Sequence, residues 1–232
     1  MKRRSILPVS ALGVLPLLAA ATACGPTLLP VADPSGNGEL VYDLELGLPR
    51  QLDPAPLRTA PYAPGLRLYL EAVEDARDDR TRLGELTGGA TPIPVLGSGM
   101  PPPVFVGQVF AKEIAASGIV LIDHEEGANR AIRMRLVRFF TEEHNMYHAE
   151  VRATVEVLDP SKQVLATVLA MGSSRVFGRS LSVEDFREVF GEATLDMASN
   201  VLDNGRIQAA LDVRPDGGSA PRALRAAEGG AL

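Results

Sequence analysis

Tyr147-His148-Ala149-Glu150-Val151-Arg152-Ala153-Thr154-Val155-Glu156-Val157 is the stretch that decides the fold. Apolar residues take every odd position and polar ones every even position, so an extended chain has one packed face and one wet face. Such a strand is half buried and needs neighbours of the same design. Upstream, Ile132, Met134 and Leu136 alternate with Arg133 and Arg135 before the phase shifts to Val137 and Phe139. That shift predicts a bulge or a twist in the first arm of a hairpin. Downstream, Asp159-Pro160-Ser161-Lys162 reads as a turn, and Val164 to Met171 as a further strand.

Two helices are expected to cover this three-stranded antiparallel unit. Val106, Val109, Phe110 and Ile114 follow a helical period within 104–117, and Gly118 is placed to end the helix in a left-handed conformation. Ser182 ahead of Val183-Glu184-Asp185 is a capping-box-like start, and Phe186, Phe190, Ala193, Met197 and Val201 form the apolar stripe of a second helix ending near Asn204-Gly205. Leu66, Leu68 and Leu70 alternate with Arg67, Tyr69 and Glu71, which predicts the domain's first strand, running towards Val73. Glu74 to Gly84 reads as a charged turn, Thr87 to Pro103 as a Pro/Gly-rich loop, and Ile119 to Ile122 as a short strand entering the core. The order predicts an α+β two-layer domain over 66–211, with a mainly antiparallel sheet and two helices packed on one face.

The chain opens with Lys2, Arg3 and Arg4, an apolar run from Ile6 to Ala20, and then Ala21-Thr22-Ala23-Cys24, which contains its only cysteine. This looks like a bacterial lipoprotein signal over 1–23, in which cleavage leaves Cys24 to be acylated and the mature chain fixed to a membrane by lipid. Two other readings fit the same residues. The 18 uncharged residues from Ile6 to Ala23 are near the lower limit for a membrane span, although Pro8 and Pro16 interrupt them. An ordinary secretory signal would leave Cys24 as a free thiol. Gly25 follows the cysteine where an aspartate commonly retains such proteins on the inner membrane, so the resemblance implies the outer membrane, periplasmic face.

Removing Lys2, Arg3 and Arg4 with the leader leaves 20 basic against 29 acidic residues, a net charge of −9. An acidic body of this kind is a poor partner for nucleic acid or anionic headgroups. A single cysteine provides no internal disulfide, so stability must come from a packed core. Residues 24–65, with eight prolines from Gly25 to Gly65, read as an extended tether or else an irregular wrap, and 212–232 as a disordered tail.

The leader, the apolar strand ending in Val73-Glu74-Asp75-Ala76-Arg77, the Leu83-Gly84 that follows, the single helix, Gly118-Ile119 and the long meander together resemble the YajG-type family of bacterial lipoproteins. The resemblance spans roughly 66–211; the proline-rich segment and the C-terminal tail depart from it. It implies a module that is not an enzyme. The layout is also similar to auxiliary lipoproteins of envelope transport systems, which implies binding to a protein or lipid rather than turnover.

No cofactor, metal or catalytic motif is expected. His144 and His148 have an H-x-x-x-H spacing, but it spans a hairpin turn and lacks the H-E-x-x-H order of zinc proteases. Asp75, Arg77, Asp78, Asp79 and Arg80 form either an acid/base or cation site, or a charged turn in which Asp75 and Arg77 pin the backbone or each other. Gly88-Gly89, Gly97-Ser98-Gly99 and Gly172-Ser173-Ser174 lack the lysine of a phosphate cradle. The leading expectation is a lipid-anchored scaffold or binding module, attached to the membrane at Cys24 and paired with an envelope protein through the exposed sheet face or an edge strand. The alternative is a carrier of lipid or another small molecule, with Phe105, Phe110, Phe186, Phe190 and Met197 lining a cavity rather than filling a core.

Overall fold

A computed structural model describes residues 29–32, 40–54, 62, 65–89, 91–177 and 181–212. The leader, Cys24 and residues 213–232 lie outside the described residues. Among the described residues ten strands form one sheet: β1 (Pro30–Ala32), β2 (Leu40–Leu46), β3 (Arg67–Leu70), β4 (Glu74–Asp75), β5 (Arg82–Leu86), β6 (Ile93–Gly99), β7 (Val120–Ile122), β8 (Arg130–Glu143), β9 (Tyr147–Leu158) and β10 (Val164–Val176). Three helices accompany it: α1 (Pro102–Ala116), α2 (Val183–Leu202) and α3 (Gly205–Leu211).

The 14-residue β8 is the spine. Along one edge it pairs antiparallel with β9, which pairs antiparallel with β10. Tyr147, Ala149, Val151, Ala153, Val155 and Val157 are all buried, as their alternation predicts. The expected bulge lies between Leu136 and Arg138. It leaves Val137 exposed and keeps Ile132, Met134, Leu136 and Phe139 on the buried side. Without the extra residue, everything beyond it would switch faces.

The other edge of β8 departs from expectation. β3, β4 and β5 line up along it in tandem, each parallel to it, at Leu68↔Arg130, Glu74↔Arg135 and Gly84↔Thr141. β2 also runs parallel to β6, and β3 to β7. The sheet is therefore mixed rather than mainly antiparallel. A long strand has two edges to satisfy, and the second is filled by short segments far upstream that no hairpin turn connects to it.

Three further expectations are corrected by the same logic. The proline-rich 24–65 is not a tether throughout, because 40–46 is free of proline and buries Val41, Leu44 and Leu46 as β2. Residues 47–54 continue across α2: the Arg50 amide donates to Glu184 Oε1 at 2.6 Å, and Leu52 packs against the core. β3 is therefore not the first strand. Within the expected 87–103 loop, β6 bridges β2 and β5. β7 lies at the end of the strand order with Val120 exposed, while Ile119 just before it is buried in the core and Leu121 packs against it, as expected.

The helices pack as the apolar stripes dictate. Phe139 of β8 stacks on Phe190 of α2, centroids 4.0 Å apart, and takes the edge of Phe105 of α1 at 5.6 Å. Both helices thus share the buried face of the hairpin. α1 begins two residues before Val104, because prolines at its first positions forfeit no helical hydrogen bond. Ser182 caps α2, its hydroxyl accepting from the Glu184 amide at 3.2 Å. Beyond the expected helix end near Asn204-Gly205 a third helix follows; Asn204 caps it by accepting from the Arg206 and Ile207 amides, and Ile207 and Leu211 are buried. Gly118, at φ +76°, ends α1 as predicted.

Candidate functional site

The Asp75-x-Arg77 turn lies where the charged run leaves β4. The Arg77 side chain is buried, which an unpaired guanidinium would not tolerate. Its Nε donates to Asp75 Oδ1 and its Nη2 to Asp75 Oδ2, each at 2.9 Å, a two-pronged pairing. Nη2 also donates to the Arg80 carbonyl at 2.7 Å, and Nη1 to that of Arg82 at 3.4 Å. Burial pushes the Asp75 carboxyl up, but the Arg77 guanidinium outweighs it and holds the group below the usual carboxylate range. Asp79 is fixed similarly: its Oδ1 accepts from the amides of Arg82 and Thr81 and from the Thr81 hydroxyl. Backbone donation from Arg82 leads the causes that lower its pKa. Four donors of the guanidinium, both carboxylate oxygens of Asp75 and Oδ1 of Asp79 are thus engaged in folding the turn from β4 into β5. A cleft of about 160 Å³ opens beside it, where the Arg138 guanidinium lies 4.9 Å above the Phe140 ring.

The two histidines separate as the hairpin requires. His144 is exposed in the turn, and His148 lies on the wet face of β9 opposite Glu142. Among the described residues no group of three His, Cys, Asp or Glu is disposed to hold a metal ion. A larger groove, of about 720 Å³, opens among Tyr69, Asp123, His124, Glu126 and Arg130. Its basic wall is structural, since Arg130 Nε donates to the Ala210 carbonyl at 2.6 Å and secures the end of α3.

The residues expected either to fill the core or to line a carrier cavity do the former. Phe105, Phe110, Phe186, Phe190 and Met197 are fully buried, and the ring contacts through Phe139 and Tyr147 occupy the layer between helices and sheet. Gly172 on β10 brings α2 closer still: a Cβ there would lie 2.1 Å from the Ala193 carbonyl oxygen.

On the opposite face, Arg133 pairs with Glu71 at 2.8 Å and Arg138 with Glu150 at 3.0 Å, and Arg152 also reaches Glu150. This ionic surface gives way on β10 to Leu169 and Met171, 68% and 52% exposed. They stand on one face, two residues apart, across from Thr154 and Arg152. The backbone edge beside them is closed by α2. Asn200 Nδ2 donates to the Met171 carbonyl at 3.0 Å, and the Ser173 amide donates to Asp196 Oδ2 at 3.0 Å. Side chains thus take the place of a partner strand at the centre of this edge. The sequence carries a signal for the apolar pair, in the almost continuous apolar run of 164–171 on a strand with one wet face, but none for the capping of the edge from α2. Among the described residues no helix is long and apolar enough to cross a membrane.

The chain matches no family model and no curated protein. Solved structures of similar shape include a Xanthomonas campestris protein of the DUF330 description, at 12% identity and TM-score 0.45, over 73% of this chain and 96% of that one. A minor lipoprotein from Acinetobacter baumannii aligns at 11% identity and TM-score 0.37, over 62% of this chain and 94% of that one. The PelC dodecamer from Paraburkholderia phytofirmans aligns at 14% identity and TM-score 0.36, over 66% and 98%. Likenesses of this degree assign neither a family nor an activity to the chain.

Proposed function

We propose that this chain is a non-catalytic envelope lipoprotein, anchored through acylated Cys24 on the periplasmic face of the outer membrane and related to the YajG-type family. It binds a protein partner in envelope assembly or transport. The observation that carries the reading is the pair Leu169 and Met171, exposed together on an otherwise ion-paired sheet face. Large apolar side chains next to one another in water are the usual core of a contact surface. Asp196 and Asn200 block main-chain pairing at Met171 and Ser173, so the mode supported is side-chain docking on the face of β10 rather than addition of a strand there. Support also comes from the candidate turn, whose Asp75, Arg77 and Asp79 side chains are engaged with one another and with its own backbone.

A photo-crosslinking residue placed at Leu169 or Met171 in whole cells tests this reading. One envelope protein should be captured from both positions and not from the exposed Arg206. Failure at both positions under every growth condition would sink the binding reading, and an unacylated mature Cys24 peptide in mass spectrometry would sink the anchor.

A further inference from the structure

β1 limits how far the proposed anchor can reach, and the inference drawn from it rests on acylation of Cys24 as proposed above. Pro30 pairs with Tyr42, Val31 with Val41 and Ala32 with Leu40, so the sheet begins six residues after Cys24. A fully extended chain spans at most about 3.3–3.6 Å per residue, which keeps Cys24 within roughly 20 Å of Pro30. A forty-residue tether would allow on the order of 100 Å. The residues nearest the anchor are also apolar and exposed: Leu29 at 73%, Val31 at 44% and Leu40 at 57%. β1 has β2 as its single strand neighbour among the described residues, none of which pairs with its outer edge.

We propose that the β1–β2 edge rests on the lipid surface, with Leu29, Val31 and Leu40 at the boundary between headgroups and acyl chains. The domain is then held flush against the membrane instead of being extended from it. An open strand edge has unpaired N–H and C=O groups that hydrocarbon would not satisfy, so the contact stays in the hydrated interface, about 5–10 Å deep. Glu45, exposed beyond the paired stretch of β2, keeps that end of the strand out of an anionic headgroup layer, while Asp43, which the register sets across from Leu29, holds the contact at the hydrated headgroup level. The strand order runs from β1 through β2, β6, β5, β8 and β9 to β10, which places Leu169 and Met171 at the opposite edge, away from the membrane. The short spacer thus orients the domain as well as anchoring it.

Cys24 is the only native cysteine and is blocked when acylated, so a second cysteine can be labelled alone. The full-length acylated protein, with a nitroxide on Val31→Cys, Leu40→Cys or Met171→Cys, is reconstituted into vesicles of phosphatidylethanolamine and phosphatidylglycerol. Collisions with oxygen, which partitions into lipid, are compared with collisions with a water-soluble nickel chelate. The oxygen-to-nickel ratio should be several-fold higher at positions 31 and 40 than at 171, and should fall to the value at 171 in a soluble form in which Cys24→Ser replaces the acylated cysteine, so that the second cysteine is again labelled alone. Equal ratios at all three positions in vesicles, with mass spectrometry confirming acyl chains on Cys24, would overturn the proposal and leave the anchor standing. A Cys24 without acyl chains overturns both. Two labelled positions on different strands of the edge guard against one substitution disturbing β1.

Discussion

Replacing Arg77 tests whether the Asp75-x-Arg77 turn is a structural clasp. Arg77→Met keeps most of the buried volume and removes the guanidinium. Asp75 then loses its two 2.9 Å donors, and the carbonyls of Arg80 and Arg82 lose theirs. Removing one partner of a buried ion pair costs about 3–5 kcal/mol, chiefly because the remaining charge is stranded. The Asp75 side chain retains 18% of its exposure, so water recovers part of this and places the loss near the lower end, roughly 3 kcal/mol. For a chain of this size each kcal/mol corresponds to about 2–4 °C, so the melting temperature should fall by roughly 6–12 °C. Arg77→Lys keeps the charge but cannot span both carboxylate oxygens and two carbonyls, and should recover less than half of the loss. Asp75→Asn in the Arg77→Met background should cost little more, since the charge that lacked a partner is gone. Urea unfolding of the acylated protein in detergent measures all four forms, with an unchanged slope marking a true loss of stability. If Arg77→Met costs under about 1 kcal/mol, or Arg77→Lys is indistinguishable from the parent, the clasp account is wrong.

Packing and charge provide further tests. Gly172→Ala should destabilise by about 1–3 kcal/mol, because its Cβ would meet α2 backbone at Ala193 and Met197 that cannot rotate away. Gly107→Ala, in the middle of α1 with its nearest new contact at 3.4 Å from Val73, should instead stabilise by up to about 1 kcal/mol. Thermal unfolding should separate the two glycines in sign, and a shared sign would contradict the close approach of α2 to β10. In the acid range, Asp75, Asp79 and Glu71 all have carboxyls held below their ordinary values, so each binds protons more readily unfolded than folded. Their contribution is complete above the ordinary carboxylate range and is lost as pH falls through the lowered folded values. A pH series of melting temperatures should show this acid loss reduced in Arg77→Met, where Asp75 no longer has its main partner; an identical acid limb would contradict that assignment.

What the sequence by itself determined was whatever one segment can enforce locally. Alternation from Tyr147 to Val157 puts six side chains inward whatever lies beside them, and the phase shift after Leu136 requires an extra residue there to keep Phe139 inside. Ser182 and Gly118 mark helix ends because capping and a left-handed φ are satisfied within a few residues. The pairing in space of Asp75 with Arg77 was also within reach, being two residues apart. Only the tertiary structure decided what fills the far edge of β8, since β4 and β5 are short and carry little pattern, and β3, which its alternation marks as a strand, gains its hydrogen bonds, as they do, from a strand far along the chain. The same holds for β2, where four buried residues, Val41, Tyr42, Leu44 and Leu46, form a strand because β6 offers an edge. That pairing makes 40–46 of an apparent spacer part of the domain, and the first described strand begins six residues after Cys24. The capping of β10 by Asp196 and Asn200 is likewise a property of helix placement, which close packing at Gly172 permits and no local pattern encodes.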